Sequence, residues 1–230
     1  MTIDQEQLDI LWDFSDPAAS EVRLRAAGDD PELRTQVARA LGLQGRFDEA
    51  RDVLDSISDV ALAVQTRVAL ERGRLANSSG APELAIPLFA AAERLASAAG
   101  LEFLEIDAIH MLAIADSEHT ADHARRGLER VAVAQSDRTR RWAVALHNNR
   151  GWSLHDTGDF AAALEEFEEA LLAATAYGTP EQRFFTRWAV ARCYRSQGRY
   201  SAALALQEEL AAEQPEDPDV LEELGILRSI

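Results

Sequence analysis

The 230-residue chain has no lysine: all 23 basic residues are arginine, set against 40 Asp and Glu for a formal net charge of −17. A surface this acidic repels phosphate backbones, which argues against nucleic acid as a partner. The single cysteine, Cys193, cannot form an internal disulfide, in keeping with a reducing compartment. No apolar run approaches the ~20 residues that span a bilayer, so no membrane segment is expected. Residues Met1 to Glu6 lack the basic start and apolar stretch of a secretory leader. A cytoplasmic location is the resulting expectation. Glycine-rich phosphate loops, dinucleotide fingerprints and cysteine clusters are all missing, and Gly42 and Gly45 form the closest glycine pair. No cofactor or metal is therefore expected. β-Branched residues are scattered, and nothing alternates with period 2 for long enough to make a sheet.

Ala, Leu, Glu and Arg dominate instead, all of them good helix formers. One phrase recurs. Gly45-Arg46-Phe47-Asp48-Glu49-Ala50 is followed by Leu54 and Ile57, and Gly80-Ala81-Pro82-Glu83-Leu84-Ala85 by Phe89 and Ala92. Gly158-Asp159-Phe160-Ala161-Ala162-Ala163 precedes Phe167 and Ala170, and Gly198-Arg199-Tyr200-Ser201-Ala202-Ala203 precedes Gln207 and Leu210. Seven residues before these glycines stand Ala38, Gly73, Gly151 and Ala191. In the tetratricopeptide consensus that this pattern resembles, a small residue permits close helix approach, the Gly ends the first helix, the aromatic opens the second, and the Ala lets the two cross.

This phrase resembles the tetratricopeptide (TPR) repeat, about 34 residues long. The glycines are 35, 78 and 40 residues apart, so the long interval must hold a further, degenerate copy. Leu112, Ala115, Ala124, Leu128 and Val131 fit it, with Asp116 to Thr120 replacing the usual glycine turn. The resemblance implies an all-α, right-handed superhelical TPR solenoid of about five helical hairpins and about twelve to thirteen helices. Residues 1–29 read as N-terminal capping helices, 30–216 as the repeats with the third degenerate, and 217–230 as a C-terminal capping helix. Asp30-Pro31, Thr179-Pro180 and Asp217-Pro218 read as an N-cap followed by a first-turn proline. Leu221 and Leu224 are expected to dock the last helix, and Ile226 and Ile230 leave a weak homodimer as the alternative to a monomer.

In TPR proteins the first helices line the binding groove. Carried onto this chain, the family's inner positions fall on Arg39; on Arg67, Arg74 and Asn77; on Asp116; on Asn148, Trp152 and His155; and on Phe185, Trp188, Arg192 and Arg195. Arginine forks bind carboxylate or phosphate, and tryptophan supplies rigid contact area. The competing reading is that the arginine stems pack over neighbouring helices and pair with the abundant glutamates, while the tryptophans fill the core. A chaperone-tail carboxylate clamp is disfavoured, since only Asn149 sits at a clamp-like place and the lysines are absent.

The resemblance thus implies a non-catalytic scaffold whose concave groove, locally positive, holds a protein or peptide segment of acidic and apolar character. The alternative is a small-molecule or signalling-peptide sensor with a closed pocket around Trp152 and Trp188. An enzyme is not expected. His155 and Asp156 are adjacent on a helix and cannot face each other, and the polar group His110, Asn148, Asn149, His155 and Asp156 offers no evident nucleophile. His119 and His123 have zinc-pair spacing but straddle a turn, and read as solvated. His147 stands at a packing position between helices, and Cys193 reads as an inert buried thiol.

Overall fold

The computed structural model describes residues 5–230, apart from the side chain of Glu6. The leader reading at the N-terminus therefore falls, for residues 1–4, outside the described residues. Every regular element described is a helix, and the chain divides into two compact units, residues 1–119 and 120–230.

In the first unit α1 (Gln5–Leu11) and α2 (Pro17–Ala27) precede a hairpin of α3 (Pro31–Leu43) and α4 (Phe47–Asp55), a second of α5 (Leu62–Ser78) and α6 (Pro82–Ala99), and α7 (Glu102–Ala115). The second unit opens with α8 (Thr120–Val133) and the short α9 (Asp137–Arg140). It continues with the hairpins α10 (Trp142–Asp156)/α11 (Phe160–Tyr177) and α12 (Pro180–Ser196)/α13 (Tyr200–Glu213), and ends with α14 (Pro218–Leu227). That makes fourteen helices among the described residues, slightly more than the sequence predicts, because one-turn α9 is set off from α10 at Arg141. Of the residues expected to form the degenerate copy, Leu112 on α7 and Ala124 and Val131 on α8 are buried.

The helix ends follow from local chemistry. Asp16, Asp30 and Asp217 accept hydrogen bonds from first-turn amides just before Pro17, Pro31 and Pro218. Thr179 and Gln182 form a reciprocal capping box at α12. The hairpin glycines Gly45, Gly80, Gly158 and Gly198 have φ between 73° and 83°, which residues with a Cβ rarely adopt. At each, the next amide reaches back to a carbonyl five residues earlier, as in Arg46 to Leu41 at 3.0 Å and Arg199 to Tyr194 at 2.9 Å. This pairs carbonyls that the helix end would otherwise leave bare and turns the chain into the second helix.

Within the hairpins the small residue meets a ring. A Cβ built on Gly73 would lie 2.5 Å from the Phe89 ring, and one built on Gly151 would lie 2.5 Å from that of Phe167. Both rings are fully buried, as are the crossing alanines Ala50, Ala85, Ala163 and Ala203. The α14 helix docks through Val220, Leu224 and Leu227 against a cluster that includes Leu210 and Trp188. Leu221 points outward, 50% exposed, which corrects the sequence reading: with Leu224 and Leu227 facing α13, the helical period selects Val220 rather than Leu221.

At the position held by Phe89 and Phe167, the last hairpin carries Gln207. It is fully buried, and neither amide atom has a partner among the described residues. A buried amide without hydrogen bonds costs about 1–3 kcal/mol. Gln207→Met, of similar length and without the polar atoms, should raise the midpoint of thermal unfolding; an unchanged or lower midpoint would show that the amide is satisfied in solution. Ala163→Leu should act oppositely, costing roughly 1–3 kcal/mol by overpacking the α10–α11 crossing, as measured by urea titration.

Candidate functional site

On the first unit, α3, α5 and α7 contribute Arg39, Arg67, Arg74, Asp107 and His110. The Arg67 guanidinium donates from Nε to Glu32 Oε2 at 2.9 Å and from Nη2 to Gln5 Oε1 at 3.1 Å. Arg74 donates to Glu71 at 2.6 Å and to Asp107. All of these charges are largely withdrawn from water: the Glu71 and Asp107 side chains are 2% and 4% exposed. Burial would raise the Asp107 carboxyl, but the Arg74 and Arg39 charges outweigh it and hold the group below the usual carboxylate range. Asn77, near the end of α5, is partly buried.

On the second unit, α10 and α12 bring aromatic side chains together. The Trp152 ring lies 5.9 Å from Trp188 and 4.8 Å from Phe167, and Trp188 stacks on Phe185 at 6.0 Å. Phe185 is 45% exposed, so the row reaches the surface. Trp188 Nε1 and Asn148 Oδ1 are buried without a hydrogen-bond partner among the described residues. His155 Nε2 lies 2.8 Å from Ser196 Oγ, which also accepts from Arg192 Nη1 at 2.9 Å. Arg192 and Arg195 both reach one carboxylate, Glu223 on α14, at 3.0 and 2.6 Å.

The expected locally positive inner face is thus not what the ion pairs leave. Arg67, Arg74, Arg192 and Arg195 are all engaged by acids, so their charge is largely spent within the fold. Of the inner-face arginines only Arg39 differs: its guanidinium lies 5.6 and 5.1 Å from the ring centres of Trp12 and Phe14. Sequence reasoning missed Glu32, Asp107 and Glu223 because they reach their arginines across helices. Glu71, three residues before Arg74 on the same helix, carried a legible signal.

The remaining candidates have structural surroundings. His147 Nδ1 lies 2.8 Å from Glu166, which also takes Arg150 at 3.1 Å. Burial pushes the Cys193 thiol up to about 11, and its Sγ lies 3.4 Å from the Phe160 carbonyl. His119 and Asp116 pair at 3.0 Å on an exposed turn. Among the described residues no three His, Cys, Asp or Glu are grouped to hold a metal ion, and no helix is long and apolar enough to cross a membrane.

Hairpins closed by left-handed glycines, with small residues seated on buried rings, define an α-helical repeat protein. Tetratricopeptide-repeat family models match residues 142–212 and 31–56. The fold is similar to that of BtubC (BKLC) from P. vanneervenii, 18% identical with a TM-score of 0.64, covering 93% of this chain and 89% of that one. It is also similar to nearly identical TPR-like repeats of a Podosopora anserina protein provisionally assigned as a kinesin light chain, 18% identical with a TM-score of 0.52, covering 81% of this chain and 97% of that one. No curated protein matches the sequence. The chain thus carries tetratricopeptide repeats over residues 31–56 and 142–212, within an all-α repeat fold.

One titration is written into the first unit. Burial pushes His110 down to about 4 from an ordinary 6.5, with Arg74 and Arg39 opposing its protonation and Asp107 favouring it. A folded value below the unfolded one means that between them the unfolded chain binds a proton the native chain excludes. Stability should therefore fall as pH drops from 6.5 towards 4, by roughly 2–3 kcal/mol from this residue. His110→Gln should flatten that part of the profile in urea titrations at stepped pH. Parallel profiles for the two proteins would mean that His110 is not held neutral.

Proposed function

We propose that the chain is a non-catalytic binding scaffold that holds a protein or peptide segment of acidic and apolar character, and that the α10–α12 face of the second unit is a principal contact. The observation that carries this reading is the aromatic row Trp152–Trp188–Phe185, which ends in a ring 45% exposed. An exposed aromatic backed by fixed rings offers large contact area with little conformational entropy left to lose. The unpaired Trp188 Nε1 donor and Asn148 Oδ1 acceptor complement a backbone C=O and N–H, provided the covering side chains part. Repeat proteins of this class in general bind other proteins, which agrees with the reading. The paired state of Arg192 and Arg195 shifts weight on this face from ionic to aromatic contact.

Panning a random twelve-residue peptide library against the purified protein should enrich segments that combine acidic and large apolar residues. Phe185→Ala should weaken the enriched peptides about tenfold, on the order of 1–2 kcal/mol, while the thermal midpoint stays near that of wild type because the ring is substantially solvated. Peptides that bind the variant as tightly as wild type would remove this face from the proposal.

A further inference from the structure

We propose that Arg39, on the first unit, is a seat for a single carboxylate, supplied by an acidic side chain of a peptide partner. This rests on the reading of the chain as a peptide-binding scaffold, but on different residues from the α10–α12 face.

Arg39 stands apart by its bonding. Arg67, Arg74, Arg192 and Arg195 each have an acid oxygen within 3.0 Å. Arg39 has neither an ion pair nor a hydrogen bond among the described residues; its neighbours are the rings of Trp12 and Phe14. A guanidinium carries five N–H donors in a planar fork, and packing beside aromatic rings uses none of them. A partly buried arginine with all its donors idle is an incomplete arrangement.

The surroundings hold that arginine in place and leave its charge uncompensated by any bonded acid among the described residues. Trp12 Nε1 donates to Gln36 Oε1 at 3.1 Å, tying the ring to the same helix as Arg39, three residues earlier. Trp12 and Phe14 are themselves stacked at 4.7 Å with a 4° interplanar angle, so the rings form a fixed shelf. Behind it, Glu71 and Asp107 are committed to Arg74, and Glu32 to Arg67. Burial and then the Arg74 charge lower the proton affinity of Arg39, so an anion set against its free edge would relieve a real electrostatic cost.

The chemistry selects a carboxylate. Two parallel N–H donors on one edge of a guanidinium match the two oxygens of a carboxylate. A phosphate dianion would meet twice the repulsion from a molecule of net charge −17. Phe14, 60% exposed, offers an apolar lip for a large residue beside the acid.

The test uses the full chain with ¹⁵N-labelled arginine, observing the Nε–Hε signal of Arg39, assigned by its loss in Arg39→Gln. The probe is the blocked peptide acetyl-Gly-Leu-Asp-Phe-Gly-amide, run beside its Asn and phosphoserine counterparts. The Asp peptide should move the Arg39 signal saturably, and the Asn peptide should bind at least about tenfold more weakly. Arg39→Gln should lose a similar factor, and Arg39→Lys, which keeps the charge but not the fork, should fall between. If Arg39→Gln fails to fold, the wild-type signal and Arg39→Lys decide. The proposal is overturned if the Asn peptide binds as well as the Asp peptide, if the phosphoserine peptide binds tenfold tighter, or if neither arginine substitution changes affinity. None of those outcomes would touch the result at Phe185.

Discussion

The contact on which each hairpin depends is that between the small residue of the first helix and the large side chain nine positions after the turn glycine. At Gly73–Phe89 and Gly151–Phe167 a Cβ would stand 2.5 Å from the ring, so helix separation there is set by the absence of one carbon atom. The other two hairpins carry Ala38 with Leu54 and Ala191 with Gln207 at the same places, trading volume between the partners. Close packing leaves little tolerance for error in such a trade. Because the first helices meet the second helices at a fixed distance, the residues on the opposite side of each first helix are presented at a fixed spacing too. The candidate faces inherit their spacing from that packing.

The two faces solve the problem of presenting polar groups differently. In the first unit, Arg67 and Arg74 are buried with Glu32, Glu71 and Asp107, and such groups are tolerable only because each charge has an opposite within hydrogen-bond reach. In the second unit one carboxylate, the buried Glu223, takes both Arg192 and Arg195, and the tryptophan rings of Trp152 and Trp188 supply the rest of the face. A chain with 40 acidic residues and 23 basic ones has acids to spare, so an arginine facing inward finds one unless the neighbouring positions exclude it. Arg39 escapes because Trp12 and Phe14 occupy that space.

Much of the fold was legible because its determinants are local. The turn glycines, the Asp-Pro and Thr-Pro starts, and the spacing of Phe89 and Phe167 from their glycines all act within one hairpin, where distance along the chain stands for distance in space. The site was legible only in part. Trp152, Trp188 and Phe185 do come together, as helical spacing on consecutive first helices suggests. The pairing of Arg67 with Glu32, of Arg74 with Asp107 and of Arg195 with Glu223 joins residues 28 to 35 positions apart. Those partners depend on side-chain reach between helices, which no single-helix pattern encodes. Leu221 fails for a related reason: with two leucines three residues apart at the start of α14, rotation about the axis is decided by the α13 surface it meets, and that surface prefers Val220.

The absence of lysine then acquires a structural meaning. A lysine at position 67, 74 or 195 would offer a compact charge with no fixed plane, whereas Arg67 binds two partners at once and Arg195 grips both oxygens of Glu223 at 2.6 and 2.8 Å. In a molecule with so large an excess of acid, a mobile ammonium could satisfy any of several carboxylates and would select none. The guanidinium fork, by demanding acceptors in one plane, ties each inward charge to a fixed set of partners and so to one helix register. That rigidity is what leaves one inner-face fork uncommitted among the described residues, at Arg39, which meets an aromatic shelf and not a competing acid of the chain itself.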